Sequence, residues 1–272
     1  MKTAVLVVSD LHINSTVALA PPVVNLDDGG TYHSSPGQRW LWHCWLEMIK
    51  DFKAQTEGCR RIAIFNGDLG ELDIKRRSNQ LISTNKATIL ETTRETVAPL
   101  TDQVDGTIIM RGTMPHVGKA AWLEEEIAHD LDNIIKQDGT ATWYHLRAKF
   151  GGVTFDIAHH ASMGALPWTE KNAANKIAAI ILWRYCIDRH STPPMVAIRS
   201  HNHRYSDSGG NYPVFAITTR GWTLMTEYGY RLGKENDLAQ IGGHLFICED
   251  KQYQYSQYIY HPRDERVIWK EL

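Results

Sequence analysis

Five short polar clusters carry side chains of the kind that ligate metal ions. They are Asp10-Leu11-His12, Asn66-Gly67-Asp68-Leu69-Gly70-Glu71, Arg111-Gly112-Thr113-Met114-Pro115-His116, His159-His160 and His201-Asn202-His203. In Asp-x-His and His-x-His, alternate residues of an extended chain point to the same side, so both members of a pair reach one point in space. Carboxylate and imidazole without thiolate suit Mn, Fe, Zn or Ni-like divalent ions rather than structural zinc. A carboxylate such as Asp68 can bridge two ions, and two ions ~3.5–4 Å apart are the usual device for phosphate-ester hydrolysis. Such a pair binds the phosphoryl oxygens and brings the pKa of a bound water towards ~7, so a metal-bound hydroxide attacks and no covalent protein intermediate is needed. Singly, each cluster has an ordinary reading as a solvated turn or a surface histidine. The argument rests on all five occurring in order, each after a buried-strand pattern.

Those patterns are the elements that must position the clusters. Ala4 to Val8, Ile62 to Phe65, Thr107 to Met110, Val153 to Ala158 and Met195 to Ile198 are short apolar runs that read as strands buried on both faces. Helical spacing of apolar residues predicts helices over Trp40 to Phe52, Ala120 to Ile135 and Asn175 to Ile187. Strand–helix alternation means α/β, and the carboxyl ends of parallel strands share one edge, where two carboxylates and five or six imidazoles would converge. From about residue 210 the chain turns β-rich, with strands expected over Pro213 to Thr218, His244 to Cys248, Tyr253 to Tyr260 and Val267 to Lys270. Two stacked sheets flanked by helices accommodate both parts in one domain, 1–272. Ile13 to Gly37, rich in Pro, Gly, Asp and Ser, reads as an irregular segment, either a lid over the site or a tolerated surface insertion.

Composition sets the bounds. The 272 residues are 43% hydrophobic and 22% charged, which excludes disorder, and the formal net charge of −2 argues against a generally basic coat for nucleic acid though not against a local basic groove. No apolar run reaches the roughly 20 residues that span a bilayer, and Met1 to Val8 is too short for a signal peptide. Cys44, Cys59, Cys186 and Cys248 form no Cys-x-x-Cys pair and read as reduced thiols of a cytoplasmic protein without membrane partners.

The ordered clusters resemble the calcineurin-like metallophosphoesterases, whose pattern is Asp-x-His, Gly-Asp-x-x-(Asp/Glu), Gly-Asn-His-(Asp/Glu), a lone His and Gly-His-x-His. The resemblance runs from residue 4 to about 220. It implies a β-sandwich flanked by helices in a four-layer α/β fold and a dinuclear metal site. Asp10, His12 and His203 would hold one ion, His159 and His201 the other, and Asp68 would bridge. The third cluster departs from the pattern: Gly112-Thr113-Met114-Pro115-His116 stands where Gly-Asn-His is expected. His116 either folds back through the Pro115 turn as the general acid or takes the place of the missing Asn as a ligand. Asn66, Thr113 and His160 are further candidates for metal or substrate contact. Arg199 and Arg204, flanking the last pair, and Lys75-Arg76-Arg77 are candidates for phosphate. The Tyr alternation over 253–260 reads as a half-exposed strand.

The function expected is hydrolysis of a phosphomonoester or phosphodiester, possible substrates including nucleotides. The alternatives are a metal-dependent nuclease acting on DNA or RNA, and a non-catalytic metal-binding scaffold with a decayed site.

Overall fold

The first strand, β1 (Thr3–Val8), shows how the sequence divides its apolar residues between two cores; all six of its residues are buried. Val5 and Val7 face one way, and Ala4, Leu6 and Val8 face the other. This computed structural model describes residues 1–72, 80–161, 169, 172–188, 192–227, 229 and 239–262. Along it follow the hairpin β2 (Val23–Asn25) and β3 (Thr31–His33), α1 (Pro36–Gln55), β4 (Arg60–Asn66), α2 (Lys86–Thr101) and β5 (Gly106–Met110). Next come α3 (Met114–Val117), α4 (Trp122–His129), β6 (Leu146–Phe150), β7 (Val153–Ile157) and α5 (Ala173–Ile187). The chain closes with β8 (Val196–Arg199), β9 (Ser206–Asp207), β10 (Phe215–Thr218), β11 (Ile241–Glu249) and β12 (Gln252–Tyr260).

Among the described residues these strands form two five-stranded sheets, in the orders β12-β11-β1-β4-β5 and β6-β7-β8-β10-β9. Each sheet has a parallel trio at its heart, β1-β4-β5 in the first and β7-β8-β10 in the second. Val5, Val7, Ile62, Ile64 and Ile108 pack against Phe155, Ile157, Val196 and Ile198 between the sheets. Leu6 and Val8 pack on the other face with Leu41, Trp45, Met48 and Phe52 of α1. On the second sheet's outer face Ala174, Ala178 and Ile181 of α5 meet Ala197 and Ala216. The result is a mixed α/β sandwich with helices outside. Each fully buried Val, Leu or Phe in these layers contributes ~1.5–3 kcal/mol relative to exposure.

Several local readings change. The expected helix over Ala120 to Ile135 is one short helix, α4, because Ala120 and Ala121 sit in left-handed backbone before it and Ile134 bridges to Thr107 beyond it. Ile13 to Gly37 is no loose insertion: Ile13, Leu19 and Ala20 are fully buried, and 17–19 pairs with 222–224 beside the candidate site. Ser35 then starts α1 with a capping box to Gln38, two residues before the expected end of that segment. The expected strand at Val267 to Lys270 and the basic Lys75–Arg77 lie outside the described residues. The Tyr alternation lies on edge strand β12, with Tyr253 and Tyr255 turned to the core between the sheets and Tyr258 and Tyr260 towards α1.

Candidate metal centre

Five strand ends meet, but from two sheets rather than the single edge that a parallel arrangement suggests. β1, β4 and β5 of the first sheet end beside β7 and β8 of the second. The ligand pairs also converge for a different reason than strand alternation. The strands stop at Val8, Asn66, Ile157 and Arg199, short of the ligands. Asp10, His12, Asp68, His201 and His203 then all adopt positive φ, between 44° and 76°. Left-handed backbone costs a non-glycine residue roughly 1–2 kcal/mol. Backbone hydrogen bonds hold these turns: Asp10 N–H to the Gly67 carbonyl (3.0 Å), His12 N–H to the Asp68 carbonyl (3.1 Å) and Trp222 N–H to the Asp10 carbonyl (3.0 Å).

The turns assemble the ligand groups Asp10–His12–His203 and Asp68–His159–His201, and His12, Glu71 and His116 bring a third set of ligand atoms together beside them. Two hydrogen bonds fix the imidazole tautomers. His12 Nδ1 donates to Glu71 Oε2 (2.9 Å), and His159 Nδ1 donates to the Asn66 carbonyl (2.6 Å), since neither acceptor can donate in return. His12 Nε2 therefore faces inward, 3.1 Å from His203 Nε2. His159 Nε2 faces Asp68 Oδ2 at 3.1 Å, with both side chains 1% exposed. Each pair needs one positive charge between its atoms, supplied by a proton as a hydrogen bond or by a cation. Asp10 Oδ1, His159 Nε2 and His201 Nδ1 are buried without a hydrogen-bond partner. A proton or a divalent cation resolves all of this, and the hard oxygen and imidazole donors fit Mn, Fe, Zn or Ni. Burial by itself would push His159 down, but Asp68 beside it lifts its pKa to about 9. Burial likewise opposes ionised Asp68, and His159 and His201 hold its carboxyl well below the usual range.

Around the ligands the third cluster takes a form that its sequence does not suggest. Thr113 donates from N–H (2.5 Å) and from Oγ1 (3.0 Å) to Asp68 Oδ1, so it caps the carboxylate. The approach is so close that a Cβ on Gly112 would lie 2.2 Å from Asp68 N. His116, on α3, comes back to Glu71: its Nδ1 lies 2.7 Å from the same Oε2 that accepts from His12. Burial would lower the pKa of His116, and the Glu71 carboxylate reverses this and holds it above the ordinary value. A cavity of ~190 Å³ opens here, lined by His12, Asp68, Glu71, His116, His201 and His203 with the hydroxyls of Ser15, Thr223 and Thr226.

The Asn66 amide donates to Ser200 Oγ (2.5 Å) and the Ala158 carbonyl (3.2 Å), stitching the two sheets behind the ligands, while its Oδ1 is buried without a hydrogen-bond partner. The remaining candidates stand apart. His160 is exposed, with its ring 5.2 Å from that of His201. Arg199 turns away to Asp156 Oδ1 (2.6 Å), which makes it a partner of that carboxylate rather than a phosphate contact. Arg204 does not line the cavity. Two glutamates matter more than their sequence context indicates. Glu71 was visible only as the last position of its motif. Glu124, fully buried on α4, accepts from Gly112 N–H (2.7 Å) and Leu69 N–H (3.3 Å), and burial pushes its pKa up to about 8.

Fold and site together define an α/β sandwich whose strand ends carry carboxylate–imidazole groups able to hold divalent cations. No known family model matches the chain, and no curated protein matches it. Among solved structures it is similar to vacuolar protein sorting 29 of Cryptosporidium parvum (12% identity, 96% of this chain and 99% of that one, TM-score 0.42). It is similar to wild-type Vps29 of Entamoeba histolytica complexed with zinc (13%, 94% and 99%, TM-score 0.41). It is also similar to a dimetal phosphatase from Danio rerio (8%, 94% and 95%, TM-score 0.47). At these identities and scores the likeness assigns no residue and no activity. Among the described residues no helix is long and apolar enough to cross a membrane.

Proposed function

We propose that the chain is a metal-dependent phosphoesterase of the calcineurin-like superfamily that hydrolyses phosphomonoesters or phosphodiesters. The observation that carries this reading is the inward convergence of ligand atoms: His12 Nε2 beside His203 Nε2 and His159 Nε2 beside Asp68 Oδ2, each at 3.1 Å, in the groups Asp10–His12–His203 and Asp68–His159–His201. Asp10, His12 and His203 would hold one divalent ion, His159 and His201 a second, and Asp68 would serve both. When bound, such ions supply Lewis acidity towards phosphoryl oxygens and make water nucleophilic near neutral pH. The chain's own residues do the rest. Thr113 fixes the Asp68 carboxylate. Glu71 holds His116 by Nδ1, which leaves Nε2 to carry a proton to the departing oxygen. His116 thus serves as the general acid, rather than as a ligand in place of the missing Asn. The non-catalytic scaffold reading uses the same ligands and differs only in turnover. The test is Mn²⁺ content together with hydrolysis of bis-(p-nitrophenyl) phosphate and of a single-stranded oligonucleotide. Metal binding with ester turnover supports the proposal. Metal without turnover of either substrate favours the scaffold, and faster oligonucleotide cleavage favours a nuclease.

A further inference from the structure

A carboxyl group buried without a cationic partner is costly unless its oxygens are hydrogen-bonded. Glu124 is fully buried, and among the described residues no Lys, Arg or His lies in hydrogen-bond contact with it. A Leu or Met on the same face of α4 would pack without that cost. What the carboxylate holds is specific. Oε2 accepts from Gly112 N–H at 2.7 Å, on the turn after β5, and Oε1 from Leu69 N–H at 3.3 Å, on the turn after β4. The first turn carries Thr113, whose N–H and hydroxyl grip Asp68; the second carries Asp68 itself. One carboxylate therefore spans the two backbones whose separation sets where the Asp68 oxygens lie. Two left-handed alanines, Ala120 (φ 56°) and Ala121 (φ 55°), turn the chain directly into the helix that delivers it.

We propose that Glu124 is a positioning residue for the metal centre: by clamping the Gly112 and Leu69 amides it fixes Asp68 for cation binding. This rests on the reading of Asp68 as a metal ligand. Its neighbour Glu125 is the control, because it holds neither the Gly112 nor the Leu69 amide: it accepts from Ala141 N–H at 2.7 Å, from the Thr142 hydroxyl and, at 3.4 Å, from the Arg111 side chain.

The experiment is Mn²⁺ titration by calorimetry of the full chain carrying Glu124→Gln, Glu124→Asp or Glu125→Gln, beside the unaltered protein, with folding checked by circular dichroism and thermal melting. Gln keeps the volume but presents an NH₂ to one of the two amides; Asp keeps the carboxyl group but falls short of both. Loss of a group that orients a ligand typically lowers metal affinity 10–100-fold. That loss is expected for both Glu124 variants, while Glu125→Gln lowers the melting temperature and leaves affinity unchanged. If the Glu124 variants fold and bind Mn²⁺ like the unaltered protein, or if Glu125→Gln weakens binding equally, the positioning role is wrong. Failure of both Glu124 variants to fold overturns it too, since the carboxylate then serves the core. If the unaltered protein itself binds no Mn²⁺, the metal reading fails instead.

Discussion

Replacing Glu71 by Gln separates its two duties. In the structure one oxygen, Oε2, accepts from His12 Nδ1 at 2.9 Å and from His116 Nδ1 at 2.7 Å, with the Glu71 side chain 16% exposed. Hydrogen bonds to a charged group are worth ~1.5–3 kcal/mol each. Gln retains one acceptor oxygen and no charge, so at most one imidazole keeps its partner. Towards His12 the consequence is a 10–100-fold weaker hold on metal, the usual effect of losing a group behind a ligand. Towards His116 it is the loss of the carboxylate that, with Asp68 and Asp10, raises its pKa against burial, so the pKa falls. General acid catalysis contributes ~10²–10⁴-fold, and it acts only where the leaving oxygen needs a proton. With saturating Mn²⁺, Glu71→Gln should therefore slow an alkyl phosphate ester ~10²-fold or more and slow p-nitrophenyl esters by much less. His116→Ala should reproduce the split with metal affinity intact. Initial rates on paired esters at several Mn²⁺ concentrations decide the matter. Equal losses on both leaving groups at saturating metal would refute the assignment of His116 as proton donor.

Three further outcomes follow from the geometry. His159→Ala should abolish Mn²⁺ binding at its ion and with it turnover, whereas His160→Ala should keep metal content and alter substrate handling alone; calorimetry on both variants checks this. Gly112→Ala should cost ~1–3 kcal/mol of stability by overpacking and weaken metal binding, since its Cβ would lie 2.3 Å from Asp68 Oδ1; urea melts and Mn²⁺ titration read the two effects. Burial would raise the Asp156 pKa, yet the His145 hydrogen bond and Arg199 hold it at about 2, below the ordinary 3.8. The folded state thus binds fewer protons, so ~2 kcal/mol of stability is present above pH ~4 and is lost as pH falls towards 2. Asp156→Asn should lack that acid-dependent decline in urea melts across the same range.

The strand ends were legible because β1, β4, β5 and β8 carry apolar runs on both faces, β7 carries Val153, Phe155 and Ile157 on one, and ligand-type residues begin where the strands stop. The site's shape was not, since it depends on left-handed turns at Asp10, His12 and Asp68 that residue type does not announce. Helix α2 gives little signal either. Thr88, Thr92, Thr93 and Thr96 are weak helix formers, and three of them return their hydroxyls to carbonyls four residues back, at 2.7–2.8 Å. Arg199 looked free beside His201 because its partner, Asp156, lies on the neighbouring strand β7, remote in sequence. Glu124 was invisible for the same reason: it reaches the site from a helix that carries no motif, and only the folded chain brings its oxygens to Gly112 and Leu69.

The central claim is that Asp68 stands between two cation sites. The most direct measurement is elemental analysis of Mn²⁺-loaded, desalted protein for the unaltered chain and for Asp68→Asn. Asn tolerates the left-handed backbone of residue 68 (φ 51°), so the variant should fold while losing the charge that serves both ions. The account predicts two ions per chain in the unaltered protein and fewer than one in the variant. One ion or none in the unaltered protein, with no change on substitution, would contradict it.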